Sequence, residues 1–185
     1  MKVIQLWRNE DYPPELLRCV ESVLRFIDKD NYTLICNNPE IAQRLGVNSK
    51  NFDEEFYKIL GLVDDWKWWS DYCTMNMARS NMIRLYYASQ IPDLLYLDID
   101  TVMLKMPEFK SVGKPYFYNG DIGRFYVNGQ TEWFTNLLET ITAQLAPVPF
   151  VIYNYVKKLY FESQSLFRMD TKNFFVTDFG KKYKI

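Results

Sequence analysis

Apolar residues in the first part of the chain form two patterns, short runs with at most one polar residue inside them and stripes at helical spacing. The runs at Val3–Trp7 and Tyr32–Cys36 predict strands, because a strand that is covered on both faces shows a nearly continuous apolar stretch. Between them, a stripe with three- and four-residue steps predicts a helix over Pro14–Asp28. Strand, helix and strand within about 35 residues predict a βαβ unit, so the sheet should begin parallel.

Later segments predict further elements of the same kinds. Asn38 and Pro39 predict the start of a short helix that Gly46 ends, because these residue types favour those helix positions. Asn48–Lys67 is less regular, and we interpret it as a loop with a short helix. A long apolar stripe predicts a helix over Ser70–Ser89. The remaining predictions are strands at Leu94–Leu97, Val102–Leu104, Pro115–Tyr118, Arg124–Val127, Leu166–Met169 and Phe174–Thr177, and helices at Thr131–Gln144 and Pro147–Tyr160.

The composition fits one compact α/β domain over residues 1–185, with a mostly parallel mixed sheet flanked by helices. Apolar residues make up 48% of the chain, which is enough for a sizeable core. The formal charge of −1 gives no basic field for nucleic acid, and no window approaches the ~18 consecutive apolar residues of a membrane span. The first residues lack a signal-peptide pattern. Three widely spaced cysteines predict reduced thiols, as in a cytoplasmic protein.

Polar chemistry in this chain depends on carboxylates, because it contains no histidine. The apolar run Leu94–Leu97 is followed at once by Asp98 and Asp100. Buried carboxylates are costly unless they are paired or hold a cation, and the carboxyl ends of parallel strands are where ligands bind in open α/β sheets. Carboxylates suit Mg²⁺ or Mn²⁺. The pair therefore predicts a metal-assisted site for a phosphorylated ligand, with solvated aspartates at a plain turn as the alternative.

The segment YLDID resembles the DXD motif of GT-A glycosyltransferases. The longer stretch ARSNMIRLYYASQIPDLLYLDID is similar to the S-D-x-x-R…Y-L-D-x-D signature of the DXD sugar-transferase family, which includes the yeast initiating mannosyltransferase and the clostridial glucosylating toxins. Ser80 and Arg84 match this signature, whereas Asn81 stands where the family has aspartate. The opening VIQLW resembles the first strand of the family, in which Gln5 and Trp7 match.

The resemblance implies a Rossmann-like GT-A fold and transfer of a hexose from a UDP- or GDP-linked sugar to a hydroxyl group of a glycan, protein or lipid. It implies retention of the anomeric configuration, with Mn²⁺ or Mg²⁺ held by Asp98 and Asp100. An inverting enzyme would instead need a carboxylate base, for which the candidates are Asp121 and Asp178. Asp178 could alternatively replace the histidine metal ligand of the glycogenin-like branch. Residues expected to bind substrate are Gln5, Trp7, Asn81, Arg84, Asn119 and Lys181.

For several of these residues, a purely structural role is the alternative to contact with substrate. Arg84 could form a buried ion pair with one of the two aspartates, and Trp7 could belong to the core. Asn119 and Asp121 could form only a turn, and the segment around Lys181 could be an ordinary basic tail. For the whole chain, one alternative is a nucleotide-sugar-binding domain without turnover. A nucleotidyltransferase is a further alternative, although the chain lacks a glycine-rich loop after its first strand.

Overall fold

The computed structural model describes residues 1–61, 76–107, 109, 115–117, 123–143 and 175–176. Its strands are β1 (Lys2–Trp7), β2 (Tyr32–Cys36), β3 (Asn48–Lys50), β4 (Leu94–Leu97), β5 (Val102–Met103), β6 (Tyr116–Phe117), β7 (Arg124–Tyr126) and β8 (Phe175–Val176). Its helices are α1 (Pro14–Leu24), α2 (Pro39–Leu45), α3 (Phe52–Leu60), α4 (Asn76–Gln90) and α5 (Thr131–Ala143), with a 3-10 turn at Lys29–Asn31.

Six of the described strands form one sheet in the order β3-β2-β1-β4-β7-β6. The first four of these are parallel to one another, and β7 is antiparallel to both of its neighbours. The short strands β5 and β8 pair separately and are antiparallel. The predicted βαβ start and the mostly parallel mixed sheet are therefore confirmed.

Helices cover the sheet on both faces. On one face, Ile4, Leu6 and Tyr96 pack with buried side chains of α3, α4 and α5. On the other face, Val3 and Leu95 pack with α1 and α2. Neighbouring side chains of a strand point to opposite faces, so a strand covered on both sides is apolar at nearly every position. This packing explains the nearly continuous apolar runs that located β1 and β4, in which Gln5 of β1 is a buried polar exception.

The first helix is shorter than its apolar stripe predicts, because it ends at Leu24 rather than at Asp28. The N–H groups of Phe26 and Ile27 both donate to the carbonyl of Val23, at 3.0 and 3.2 Å, which tightens the chain into a turn. Ile27 is nevertheless buried, with 7% of its surface exposed. Its burial in a turn explains why it matched the helical spacing.

The prediction of a loop with a short helix over Asn48–Lys67 is wrong in part. Residues 48–50 form strand β3, which pairs with β2 at the edge of the sheet and places Asn48 opposite Thr33. All three residues of β3 are exposed, so no apolar pattern marks this strand. The helix is confirmed as α3, and residues 62–67 lie outside the described residues.

The remaining elements agree with the predictions to within one or two residues where they are described. The short helix α2 is capped as expected: the Asn38 side chain accepts a hydrogen bond from the N–H of Glu40, and Gly46 ends the helix at a φ of 67°. Residues 70–75 of the predicted long helix, the predicted helix 147–160 and the predicted strand 166–169 lie outside the described residues. Within the described part of the chain, no helix is long and apolar enough to cross a membrane.

Candidate functional site

Strand β4 ends in a turn that carries the two aspartates. Asp98 and Asp100 are half-buried, whereas Ile99 between them is buried on the α1 side of the sheet. The N–H of Thr101 donates to the Asp98 carbonyl at 3.0 Å, and the N–H of Asp98 donates to the Gly123 carbonyl at 2.7 Å. Backbone hydrogen bonds thus fix residues 98–101, which we call the acidic turn, against the start of β7.

The acidic turn lies where the strand order of the sheet reverses. Strand β1 has β2 on one side and β4 on the other, and all three strands are parallel. Residues that follow β1, β2 and β4 therefore meet at one edge of the sheet. Ligands of open α/β sheets bind outside the carboxyl ends of the strands at such a reversal. The topology therefore makes this edge the first candidate for a binding site.

Arg84 brings a positive charge to the acidic turn from helix α4. Only 7% of its surface is exposed, and its Nη2 lies 3.3 Å from Oδ1 of Asp98. Its guanidinium carbon lies 4.6 Å from the centre of the Tyr96 ring, and its Nε donates to the carbonyl of Ser80 at 3.4 Å. The ion pair considered from the sequence is thus present, and contact of Arg84 with a sugar or phosphate stays a prediction.

Tyr96 is the second group that holds Asp98, and the sequence pattern gave it no role beyond the strand. Its hydroxyl donates to Oδ1 of Asp98 at 3.0 Å, the same oxygen that Arg84 contacts. Burial raises the pKa of Tyr96 well above its ordinary value; Arg84 opposes this rise, and the negative charge of Asp98 adds to it. The hydroxyl therefore keeps its proton and acts as a donor. Its direct contact with Asp98 makes Tyr96 part of the site.

Gln5 holds the backbone of the acidic turn from the neighbouring strand. Its side chain is fully buried; Nε2 donates to the Asp98 carbonyl at 3.0 Å and Oε1 accepts from the Tyr32 hydroxyl at 2.7 Å. Both ends of the amide therefore have partners inside the fold. The expected contact of Gln5 with substrate stays a prediction, and the contacts that are present position the turn.

Trp7, the last residue of β1, is half-buried at the same edge. Its Nε1 donates to the carbonyl of Asp11 at 2.8 Å, and its ring meets Tyr12 edge-on at a centroid distance of 5.9 Å. The ring also packs against the core on the α1 side of the sheet. These contacts support the core interpretation of Trp7, while stacking on a nucleobase stays a prediction.

Asn81 and Asp100 complete the described part of the predicted site. Asn81 is buried on α4, three residues before Arg84. The charge of Asp100 reaches helix α1: burial, and then the negative charge of Asp100, raise the pKa of Cys19 to about 12. The negative charge of Asp100 also raises the pKa of Tyr96, so it acts on both faces of the sheet.

The donor set of the acidic turn fits a hard divalent cation that is only partly coordinated by protein. The Asp98 side chain is 38% exposed in spite of its hydrogen bond from Tyr96 and its ion pair with Arg84, and Asp100 is half-buried. Among the described residues, no three Asp, Glu, Cys or His side chains cluster closely enough to hold a metal alone. Mg²⁺ and Mn²⁺ commonly take their remaining ligands from phosphate oxygens and water. The two carboxylates match that requirement.

Four of the predicted site residues lie outside the described residues, namely Asn119, Asp121, Asp178 and Lys181. Their roles stay predictions. Two buried groups beside the turn had no role in the sequence-based site. Tyr32 reaches the turn only through Gln5, and Arg124 lies on β7 opposite Leu97, with 7% of its surface exposed. A charged residue at the start of an otherwise apolar strand was an available signal for Arg124, whereas Tyr32 left no signal in the sequence.

Two solved structures resemble this fold across nearly the whole chain. The PaToxG glycosyltransferase matches with a TM-score of 0.63 at 13% identity, over 93% of this chain and 72% of that chain. Mouse xyloside xylosyltransferase 1, in its apo form, matches with a TM-score of 0.52 at 13% identity, over 92% and 85% of the two chains. No family model and no curated protein sequence matches the chain. At these identities the likeness establishes the fold alone, which this chain shares with two glycosyltransferases, in agreement with the fold that the resemblance in sequence implies.

Proposed function

We propose that the chain is a metal-dependent glycosyltransferase that moves a hexose from a UDP- or GDP-linked sugar to a hydroxyl group of a glycan, protein or lipid. The observation that carries the proposal is the position of the acidic turn. Asp98 and Asp100 lie at the carboxyl end of β4, where the strand order reverses, with Arg84 at 3.3 Å from Asp98. The shared fold with two glycosyltransferases supports the same reaction class.

In this proposal, Asp98 and Asp100 hold Mn²⁺ or Mg²⁺, which when bound neutralises the charge of the diphosphate leaving group. Arg84 and Tyr96 hold Asp98 in place through its Oδ1 atom. Arg84 also keeps positive charge next to the turn, where a guanidinium can bind phosphate oxygens bidentately. Asn81, one helical turn earlier, is the candidate for contact with sugar hydroxyl groups.

Retention of the anomeric configuration is part of the proposal, with the leaving phosphate assisting as base. The configuration of the glycosidic bond in the product, followed by proton NMR from the start of the reaction, tests it. An inverted product would refute retention and would direct attention to Asp121 and Asp178 as bases. Asp121→Asn and Asp178→Asn would then test the two candidates, because loss of the base should abolish transfer but keep the Mn²⁺-dependent shift in melting temperature.

Donor binding and turnover can be tested together. The melting temperature is measured with UDP-glucose, UDP-xylose, UDP-N-acetylglucosamine and GDP-mannose, each with and without Mn²⁺, and release of the nucleoside diphosphate is followed in parallel. A donor at 100 times its Kd should stabilise the fold by about 2.7 kcal/mol, which raises the melting temperature by roughly 5–10 °C. The shift should require Mn²⁺.

Asp100→Asn is the informative variant, because Asp98→Asn would also remove the ion pair between Asp98 and the buried Arg84. Asp100→Asn should lose the Mn²⁺-dependent shift, whereas Asp28→Asn, at an exposed position, should keep it. A shift without release of diphosphate would favour the alternative of a binding domain without turnover. Absence of both for every donor would refute the proposed function.

A further inference from the structure

Asp53 joins three other elements at the carboxyl edge of the sheet. It lies in the first turn of α3, and 35% of its side chain is exposed. Its Oδ1 accepts from Nε of Arg8 at 3.2 Å and from Nη1 of Arg79 at 3.4 Å. Its Oδ2 accepts from Nδ2 of Asn37 at 3.0 Å, and its own N–H donates to Oδ1 of Asn37 at 3.2 Å. One carboxylate therefore receives three side-chain hydrogen bonds.

The three partners come from the elements that surround the candidate site. Arg8 directly follows β1, and Asn37 directly follows β2. Arg79 lies on α4, five residues before Arg84, which contacts Asp98. Helix α4 is thus tied to the carboxyl edge by two aspartates at different points along its length.

We infer that Asp53 is a positioning residue of the donor site: it holds the ends of β1 and β2 against α4 and thereby sets where Asn81 and Arg84 lie. The inference rests on the proposed function. Hydrogen bonds in which both partners are charged are about twice as strong as neutral ones. Arg8 and Arg79 also contact the same oxygen, so they lie close together and repel each other once the negative charge between them is removed.

Asp53→Asn tests this arrangement without a change of size. The new amide has one oxygen and one NH₂ group, so the NH₂ group must face either the two arginines or the NH₂ group of Asn37. Asn37 cannot turn over to relieve the conflict, because its Oδ1 accepts the N–H of residue 53. Glu54→Gln is the matched control, since it removes one negative charge from an exposed side chain in the same helical turn.

The assay is hydrolysis of whichever nucleotide-sugar of the donor panel the wild-type chain turns over. Asp53→Asn should raise the KM for that donor about tenfold with kcat within about twofold, because misplaced groups weaken binding of the donor. Asp53→Glu, which keeps the charge, should recover part of the loss, and Glu54→Gln should match the wild type. A merely structural role would instead lower kcat by reducing the folded fraction and leave KM unchanged, and that result would overturn the inference.

Hydrogen exchange provides a second measurement that does not depend on turnover. Amides of residues 79–84 and of residues 7–11 should exchange faster in Asp53→Asn than in Glu54→Gln, because both segments lose the same anchor. A wild-type chain that neither binds nor hydrolyses any donor would refute the proposed function. The exchange comparison would then decide by itself whether Asp53 fixes these segments, and equal rates in the two variants would refute that as well.

Discussion

The hydrogen bonds of Gln5 predict a large loss of stability from a small change. Gln5→Met keeps the length of the side chain but leaves the buried Tyr32 hydroxyl without its partner. The Asp98 carbonyl loses one of its two donors and keeps the N–H of Thr101. A buried polar group that loses its partner costs about 1–3 kcal/mol. The unpaired hydroxyl and the hydrogen bond lost at the Asp98 carbonyl together predict a loss of about 2–4 kcal/mol in the free energy of unfolding, which is a large share of the ~5–15 kcal/mol typical of a domain.

Melting followed by circular dichroism measures this loss, since 1 kcal/mol corresponds to about 2–4 °C for a chain of this size. Gln43→Met makes the same chemical change at an exposed position of α2 and should be nearly neutral. Tyr32→Phe leaves the Oε1 atom of Gln5 unpaired but keeps the hydrogen bond from Gln5 to the Asp98 carbonyl, so it should cost about 1–3 kcal/mol, less than Gln5→Met.

The double variant Gln5→Met/Tyr32→Phe sharpens the test. Removing both partners of a hydrogen bond is far less costly than removing one, so the double variant should be less destabilised than the sum of the two single variants by roughly 1–2 kcal/mol. Binding of Mn²⁺, measured by electron paramagnetic resonance, should weaken in Gln5→Met and not in Gln43→Met, because the Asp98 backbone loses its only side-chain anchor among the described residues. Additive stability losses together with unchanged Mn²⁺ affinity would refute the positioning role of Gln5.

Three further predictions concern single groups. Partial burial acts to raise the pKa of Asp93, but hydrogen bonds from the N-terminal ammonium group and from Tyr126 outweigh it and lower the pKa below 3.8. Asp93→Asn should therefore destabilise the fold at neutral pH, and its melting difference from the wild type should shrink as the pH falls below about 4. Because the pKa of Cys19 is raised to about 12, iodoacetamide should modify this thiol only after unfolding, as mass spectrometry of its peptide would show. Gly46→Ala should cost about 1–2 kcal/mol, measured as a lower melting temperature, since Gly46 has a φ of 67°; Gly61→Ala, at a φ of −66°, should not.

The apolar pattern predicted those parts of the fold in which burial follows local periodicity. Strands β2 and β4 are covered on both faces, so their bounds could be predicted from the sequence alone. Strand β3 has only exposed residues and is defined by its pairing with β2, which no local pattern reveals. The end of α1 was misjudged because Ile27 is buried from a turn. Local periodicity of apolar residues indicates which side chains are buried. It predicts secondary structure correctly only where the buried residues all belong to one helix or strand.

For the site, the sequence predicted the acidic pair and the arginine but not the groups that hold them. Asp98 and Arg84 belong to a sequence motif with a recognisable spacing. Tyr32, by contrast, acts through a contact with Gln5, which lies 27 residues away in the chain. Asp53 acts through a contact with Arg8, which lies 45 residues away. Tyrosine in a buried strand and aspartate in the first turn of a helix are both common for other reasons. Such groups become visible only when the strand order brings the ends of β1, β2 and β4 to one edge.

The arrangement around Asp98 also bears on why these supporting groups are present. Arg84 and Tyr96 both contact Oδ1, the backbone carbonyl is held by Gln5, and 38% of the side chain is still exposed. The carboxylate is thus oriented by the fold before any ligand arrives, so little side-chain entropy is lost when it binds. A solvated aspartate at a plain turn would need none of these contacts. Their convergence on one half-exposed carboxylate is therefore the strongest structural argument that the acidic turn is a binding site.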